Sequence, residues 1–196
     1  MGLTAHLGNW ELLSFFCSRF TPGLLVSVAN RIYFPPYHDF MHRLRKEAGL
    51  DIFYNDESAR KAIRAIRNGH LLGLLPDHEV RTNSSVFVDF LGLPAQTATF
   101  PVQLARKLGV KMTLVFLVRE GDTYRVIHRD LFDVPCTNDE TGDLLSGTAK
   151  WSQMLEEEIL PRPAQWSWTH NRWHSTPERP RRHLDRGRRM ESKTSP

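Results

Sequence analysis

The sequence predicts an α/β fold: a mostly parallel central sheet flanked by helices. Three observations carry this. Short apolar runs bounded by turn residues, such as Leu24–Ala29 and Leu71–Leu75, read as buried strands. Segments with one apolar face, such as Ser58–Arg67, read as amphipathic helices. The two kinds alternate along the chain, which is the pattern of parallel strands joined by helical crossovers.

The elements follow in order. Gly2-Leu3-Thr4-Ala5 reads as the end of a buried strand, and Trp10 to Phe20 as a helix stopped by Thr21-Pro22-Gly23. Leu24–Ala29 is a strand, and Tyr33-Phe34-Pro35-Pro36-Tyr37 a stiff loop. His38 to Ala48 is helical, with Gly49 as its C-terminal stop. Leu50–Tyr54 is the next strand. Asp56 caps the helix Ser58–Arg67, whose inner face is Ala59, Ala62, Ile63 and Ile66. Leu71–Leu75 is apolar throughout, as parallel buried strands are. A polar loop, Val80 to Ser85, leads to Val86–Gly92. Thr97 or Thr99 begins a helix through Leu108 that Gly109 ends. Lys111–Val118 and Tyr124–Arg129 flank a tight Gly121-Asp122 turn, so the fold carries one antiparallel hairpin near 111–129. Gly142 or Asp143 to Leu160 is a last long helix, broken by Pro161 and Pro163. The domain is expected over residues 1–173, with 174–196 a disordered basic tail.

Composition narrows the function. Hydrophobic residues make up 40% and charged residues 24% of the 196 residues, a globular balance with ample core. The net charge is +4, but residues 174–196 hold seven Lys and Arg against three Asp and Glu. The body is therefore near neutral, which argues against a nucleic-acid partner. Cys17 and Cys136 fit no metal spacing and read as buried free thiols. No apolar run approaches the ~18 residues of a membrane span.

Chemistry centres on His6 and Glu11. His6 falls in a strand-to-helix turn and Glu11 in the first helical turn. From there the carboxylate can reach back to one ring nitrogen and leave the other free as a base. The alternative is a surface His beside a Glu that merely suits the helix dipole. Asp77-His78 follows the end of the Leu71–Leu75 strand, on the same rim as His6, and ligand sites in parallel sheets lie at the carboxyl ends of strands. Asp77 reads either as a group that positions a neighbour or as a plain turn residue. Arg45, with Arg43, reads as an anion binder or as a solvated helix face. Phe15, Phe16 and Phe20 read as an acyl-chain groove or as core. Trp166, Trp168, His170, Arg172 and Trp173 pair aromatics with cations, as at a membrane interface or an anionic head group. Packing of a C-terminal segment onto the domain accounts for them equally well.

Five segments in order carry a family resemblance. They are Thr4–Leu12 with its His-x4-Glu spacing, Leu74–Glu79, Val86–Gly92, Pro94–Gly109, and Trp168-Thr169-His170-Asn171-Arg172-Trp173. Together they resemble the bacterial lipid A biosynthesis acyltransferases of the lauroyl/myristoyl type, relatives of the glycerophosphate acyltransferases. The resemblance runs from about Leu3 to Trp173. It implies an αβα core and an acyl transfer from a thioester, acyl carrier protein or CoA, to a hydroxyl of a glycolipid precursor. His6 would be the base and Glu11 its orienting carboxylate. Arg45, Asp77, His78 and Arg172 would contact substrate, with no metal and no cofactor beyond the thioester co-substrate. The partners implied are the thioester carrier, the glycolipid acceptor and a membrane surface. The location implied is the cytoplasmic face of the bacterial inner membrane.

The sequence departs from the family in three places. Phe34-Pro35 stands where the family usually has Arg-Pro, and His38 where it usually has Asn. Only Met1–Ala5 precedes His6, so the resemblance implies a chain lacking the usual N-terminal membrane helix. These departures motivate a second expectation, an inactive truncated paralogue that binds acyl lipid or membrane without turnover.

Overall fold

The computed structural model describes residues 1–54, 58–79 and 84–178. The expected Asp56 cap, most of the Val80–Ser85 loop and the tail beyond residue 178 lie outside these residues.

The chain runs β1 (Gly2–Leu3), α1 (Trp10–Phe20), β2 (Leu25–Ala29), α2 (Pro35–Glu47), β3 (Asp51–Tyr54), α3 (Ser58–Arg67) and β4 (Leu71–Leu74). It continues with β5 (Ser85–Phe90), β6 (Leu93–Ala98), α4 (Phe100–Leu108), β7 (Thr113–Glu120), β8 (Thr123–His128) and α5 (Glu140–Ile159). A six-stranded sheet has the order β3-β2-β4-β1-β7-β8. All of its pairings are parallel except β7 with β8. The α/β architecture and the hairpin near 111–129 are therefore as expected.

The shortest strand sits at the centre. β1 pairs Gly2 and Leu3 with Gly73 and Leu74 of β4 on one side, and with Thr113 and Leu114 of β7 on the other. The Thr4 N–H donates to the Leu74 carbonyl at 2.9 Å and extends the ladder toward His6. Leu3, Ala5 and Leu7 are buried on alternate positions, so His6 stands between two core residues. β1 to β2 and β2 to β3 step the same way across the sheet, so crossovers of the usual right hand put α1 and α2 on one face, where Arg45 of α2 meets Glu11 of α1. The return crossover to β4 puts α3 on the other, where α3 packs on α4 and α4 on α5.

Several local outcomes differ from the sequence reading. Helix α2 starts at Pro35, not His38. Proline at the first helical positions needs no N–H partner, and its φ is already helical, so the expected stiff loop is the helix's first turn. Leu93–Ala98 forms a strand paired with β5 in a second, separate antiparallel hairpin. Its two-residue turn, Leu91-Gly92, has φ of 53° and 78°, the positive pair that a twisted hairpin requires. Helix α4 accordingly runs from Phe100 with Thr99 as its N-cap, the later of the two expected starts. The thiols of Cys17 and Cys136 are free, as expected, but Cys17 is only half-buried and Cys136 is exposed. The packed chain also extends past Trp173, because Ser175 is buried.

Gly8 is the tightest backbone contact beside the site. Its φ is +66°, and a Cβ there would lie 2.1 Å from the Leu117 carbonyl oxygen. Only glycine lets the chain leaving His6 cross β7 so closely. The crossing is sealed by Asn9 N–H to Leu117 O at 2.8 Å and Gly8 N–H to Gln165 O at 2.9 Å.

Candidate active site

His6 is pinned at three points. Its backbone N–H donates to Asp77 Oδ2 at 2.9 Å, and its carbonyl accepts from Ser167 N–H at 2.9 Å. Its ring Nδ1 lies 2.9 Å from Asp77 Oδ1. A carboxylate there selects the tautomer with hydrogen on Nδ1 and leaves Nε2 as the basic nitrogen. The Asp77 side chain is fully covered, whereas the His6 side chain is 22% exposed, so the buried partner orients and the accessible one can react.

Asp77 accepts a third donor, Trp166 Nε1, at 3.1 Å. Burial pushes its carboxyl up. The hydrogen bonds and charge of His6 outweigh burial and hold Asp77 below the usual carboxylate range. It remains an anion beneath His6.

Glu11 does not take the place expected for it. Its carboxylate accepts from Arg45 Nε at 3.1 Å and from Arg45 Nη2, and among the described residues no hydrogen bond joins it to His6. Arg45 on α2 offers a two-pronged fork that matches a carboxylate, so the ion pair ties α1 to α2. The same contact engages Arg45, which was expected to meet a substrate anion. Asp77, expected among the substrate contacts, instead supplies the orienting carboxylate.

His78 lies flat on His6, with ring centroids 3.7 Å apart and planes 6° apart. His170 lies on the far face of His78 at 4.1 Å and 10°. Burial lowers the His78 pKa to about 4. Nearby His6, His170 and Arg172 act in the same direction, while Asp77 opposes them. Trp10 closes the other side of His6 edge-on, at 4.8 Å and 66°.

Arg172, expected among the substrate contacts, is only 1% exposed, and its guanidinium is engaged inside the protein. Its Nη1 donates to the Gln96 carbonyl at 2.6 Å and its Nη2 to Thr97 Oγ1 at 2.5 Å, while its guanidinium lies over the Phe90 ring. Burial lowers its pKa to about 10. It fastens the C-terminal segment to the β5–β6 hairpin, and Ser175 adds bonds from its N–H and hydroxyl to the Glu79 carboxylate. Trp166 and Arg172 thus bear out the packing account of the aromatic segment. Trp168 remains half-exposed, with Nε1 bonded to the Pro163 carbonyl at 2.8 Å.

His6, Asp77 and His78 bring donor atoms within 4.8 Å of one another. The set suits a metal poorly. Both Asp77 oxygens already accept N–H donors. Lone pairs in two parallel stacked rings cannot converge on one ion at ~2.0 Å.

Two cavities follow α1. One, about 620 Å³, is lined by Gly8 to Glu11 with Arg119 and Gln165. The next, about 670 Å³, is mostly apolar, with Leu12, Phe15, Phe16 and Phe20 in its lining together with the charged Arg19 and Glu47. Phe20 is 71% exposed and Phe16 44%, so these aromatics border a groove instead of filling the core.

A partly exposed histidine whose Nδ1 is held by a buried carboxylate, at the rim of a parallel sheet, has the geometry of a candidate general base. Residues 1–175 match the bacterial lipid A biosynthesis acyltransferase family, and the chain belongs to it. The chain is 31% identical over 121 residues to the lipid A biosynthesis lauroyltransferase of Escherichia coli (strain K12), a match covering 59% of this chain and 38% of that protein. It is 27% identical over 121 residues to the Escherichia coli (strain K12) lipid A biosynthesis palmitoleoyltransferase, covering 60% and 38%. The lipid A biosynthesis acyltransferase of Shigella flexneri matches to the same extent. The chain thus spans 38% of the length of these relatives.

Sequence reasoning missed the Trp166–Asp77 bond and assigned the carboxylate of the dyad to Glu11. The signal for Asp77 was its place at a strand end on the His6 rim. Proximity in sequence favoured Glu11.

Proposed function

We propose that this chain carries the catalytic core of an O-acyltransferase. It would move a fatty acyl chain from an acyl thioester, on acyl carrier protein or CoA, to a hydroxyl of a lipid A-type glycolipid precursor. The observation that carries the reading is the Asp77–His6 hydrogen bond, which leaves Nε2 of His6 as the base.

In this mechanism His6 Nε2 takes the proton of the acceptor hydroxyl as its oxygen attacks the thioester carbonyl. Asp77 stays ionised and stabilises the imidazolium. The tetrahedral intermediate collapses, the C–S bond breaks, and the imidazolium returns its proton to the leaving thiolate. The positive end of α1, which starts at Trp10, supports the negative charge that develops on the carbonyl oxygen. No step requires a metal or a resident cofactor.

The groove along α1 supports an acyl ligand, since its apolar walls begin one residue beyond Glu11. Tyr33, Phe34, Tyr37 and Phe40 are all exposed around the start of α2. Exposed aromatics of this kind favour peripheral contact with a membrane, in this reading the cytoplasmic face of the bacterial inner membrane. Among the described residues no helix is long and apolar enough to cross a membrane.

The test is transfer of a labelled acyl group from carrier protein or CoA to glycolipid acceptor in mixed micelles. His6→Ala should lower the rate about 10²–10⁴-fold with the fold intact. Equal transfer by both proteins overturns the reading. Lipid binding without transfer by either points to the inactive lipid-binding paralogue.

A further inference from the structure

The hydrogen bond to Asp77 leaves one freedom of the His6 ring undefined. A histidine side chain has two torsions, and a single Nδ1 contact fixes one distance. With the backbone pinned, the remaining motion is a tilt of the ring plane. That tilt decides where Nε2 aims, and a general base must aim at the proton it removes.

His78 stops the tilt. It lies face to face with His6 at 3.7 Å and 6°, and His170 backs it at 4.1 Å and 10°. His170 is anchored in turn, its Nε2 being 3.1 Å from the Glu79 carbonyl oxygen. Three consecutive residues therefore serve one ring. Asp77 holds its edge, His78 its face, and Glu79 the backing ring. Glu79 is itself tied to the C-terminal segment through Ser175. Nε2 of His78 is buried and meets no hydrogen-bonding partner among the described residues, so the contact His78 makes is through its face.

We propose that His78, backed by His170, is the positioning residue of His6: its ring face sets the plane of the imidazole and lies against the imidazolium formed during acyl transfer. The π-face of a neutral ring attracts a cation, whereas a second charged ring in this stack would repel it. His78 faces His6, His170, Asp77 and Arg172, and their combined effect with burial keeps it neutral. The proposal rests on His6 being the base of the reaction, and its test also reads His6 without turnover.

The test compares His78→Ala with His78→Phe in the full chain labelled with ¹³C at histidine rings, the His6 signal being assigned from its loss in His6→Ala. In His78→Ala the His6 signal should broaden or split between ring orientations. Turnover should fall about 10- to 100-fold with KM for the thioester unchanged. His78→Phe keeps a flat face without ring nitrogens, and it should restore a single His6 signal and most of the lost kcat. An unaltered His6 signal in His78→Ala overturns the proposal. So does a folded His78→Phe as impaired as His78→Ala, because a ring nitrogen and not the face would then be at work. If the wild-type chain shows no turnover, the acyl-transfer reading fails by itself, and the His6 signals still decide the stack.

Discussion

Asp77 Oδ1 meets His6 Nδ1 at 2.9 Å across 71 positions of sequence, while Glu11, five positions away, binds Arg45 instead. The carboxylate that holds the His6 ring comes from beyond the end of a different strand, β4.

Asp77→Asn should therefore damage activity more through the base than Glu11→Gln does. An amide can donate to Nδ1 and select the wrong tautomer, which costs on the order of 10³–10⁴ in kcat. Glu11 should instead couple to Arg45. A double-mutant cycle on urea stability should give about 0.5–1 kcal/mol between Glu11 and Arg45 and none between Glu11 and His6. The reverse pattern would return the orienting role to Glu11.

Gly8→Ala should destabilise by at least about 2 kcal/mol, since it adds both a steric clash and a strained backbone. The Cβ has backbone, not a movable side chain, 2.1 Å away. A lowered urea midpoint with unchanged slope checks it.

Stability should fall as pH drops from about 6.5 toward 4. His78 resists protonation down to about 4 when folded, against 6.5 ordinarily, so over this range the unfolded chain binds a proton that the native state refuses. Because the ring is only half-buried, solvent screening reduces the loss to about 1–2 kcal/mol. Asp77 acts in the same direction lower down. Its depressed pKa gives stability above the ordinary carboxylate range that is lost as pH falls through the folded value. Urea midpoints between pH 7 and 4.5 should decline less in His78→Phe than in wild type.

Arg172→Met should cost about 2–4 kcal/mol although it keeps an unbranched side chain. It removes the two buried N–H donors that the Gln96 carbonyl and the Thr97 hydroxyl accept from, leaving the hydroxyl only its bond to the Ala95 carbonyl. Arg172→Lys should recover little, because one ammonium does not reproduce the fork. Thermal unfolding of the three proteins compares them.

Serine at Phe34, Tyr37 and Phe40 together should lower partitioning to anionic phospholipid vesicles at least about 10-fold, with the urea midpoint unchanged. Vesicle sedimentation measures this. Undiminished binding would place the membrane contact elsewhere.

Much of the local structure was legible because its causes are local. The bounds of α1, Trp10–Phe20, follow from its apolar face and the Thr21-Pro22-Gly23 stop. The C-terminus of α4 follows from Gly109, which adopts φ of 63°. The β5–β6 hairpin was not legible as a whole. Leu93–Ala98 carries Pro, Gln and Ala with little β-branching, and it becomes a strand only by pairing with Ser85–Phe90. Similarly, Pro35 and Pro36 are compatible with a loop or a helix start, and only docking of α2 selects the helix.

The sequence by itself determined the α/β class, the alternation of elements, and the rim on which His6 and Asp77 both fall. These depend on hydrophobic period and turn chemistry, which act over a few residues. Only the tertiary structure decided which carboxylate holds His6. It also decided that Arg172 is a buried tie, and that a two-residue strand leads into His6. The physical reason is that hydrogen bonds between side chains depend on distances set by sheet order. With β1 laid between β4 and β7, Asp77 comes under His6, and α2 brings Arg45 to Glu11.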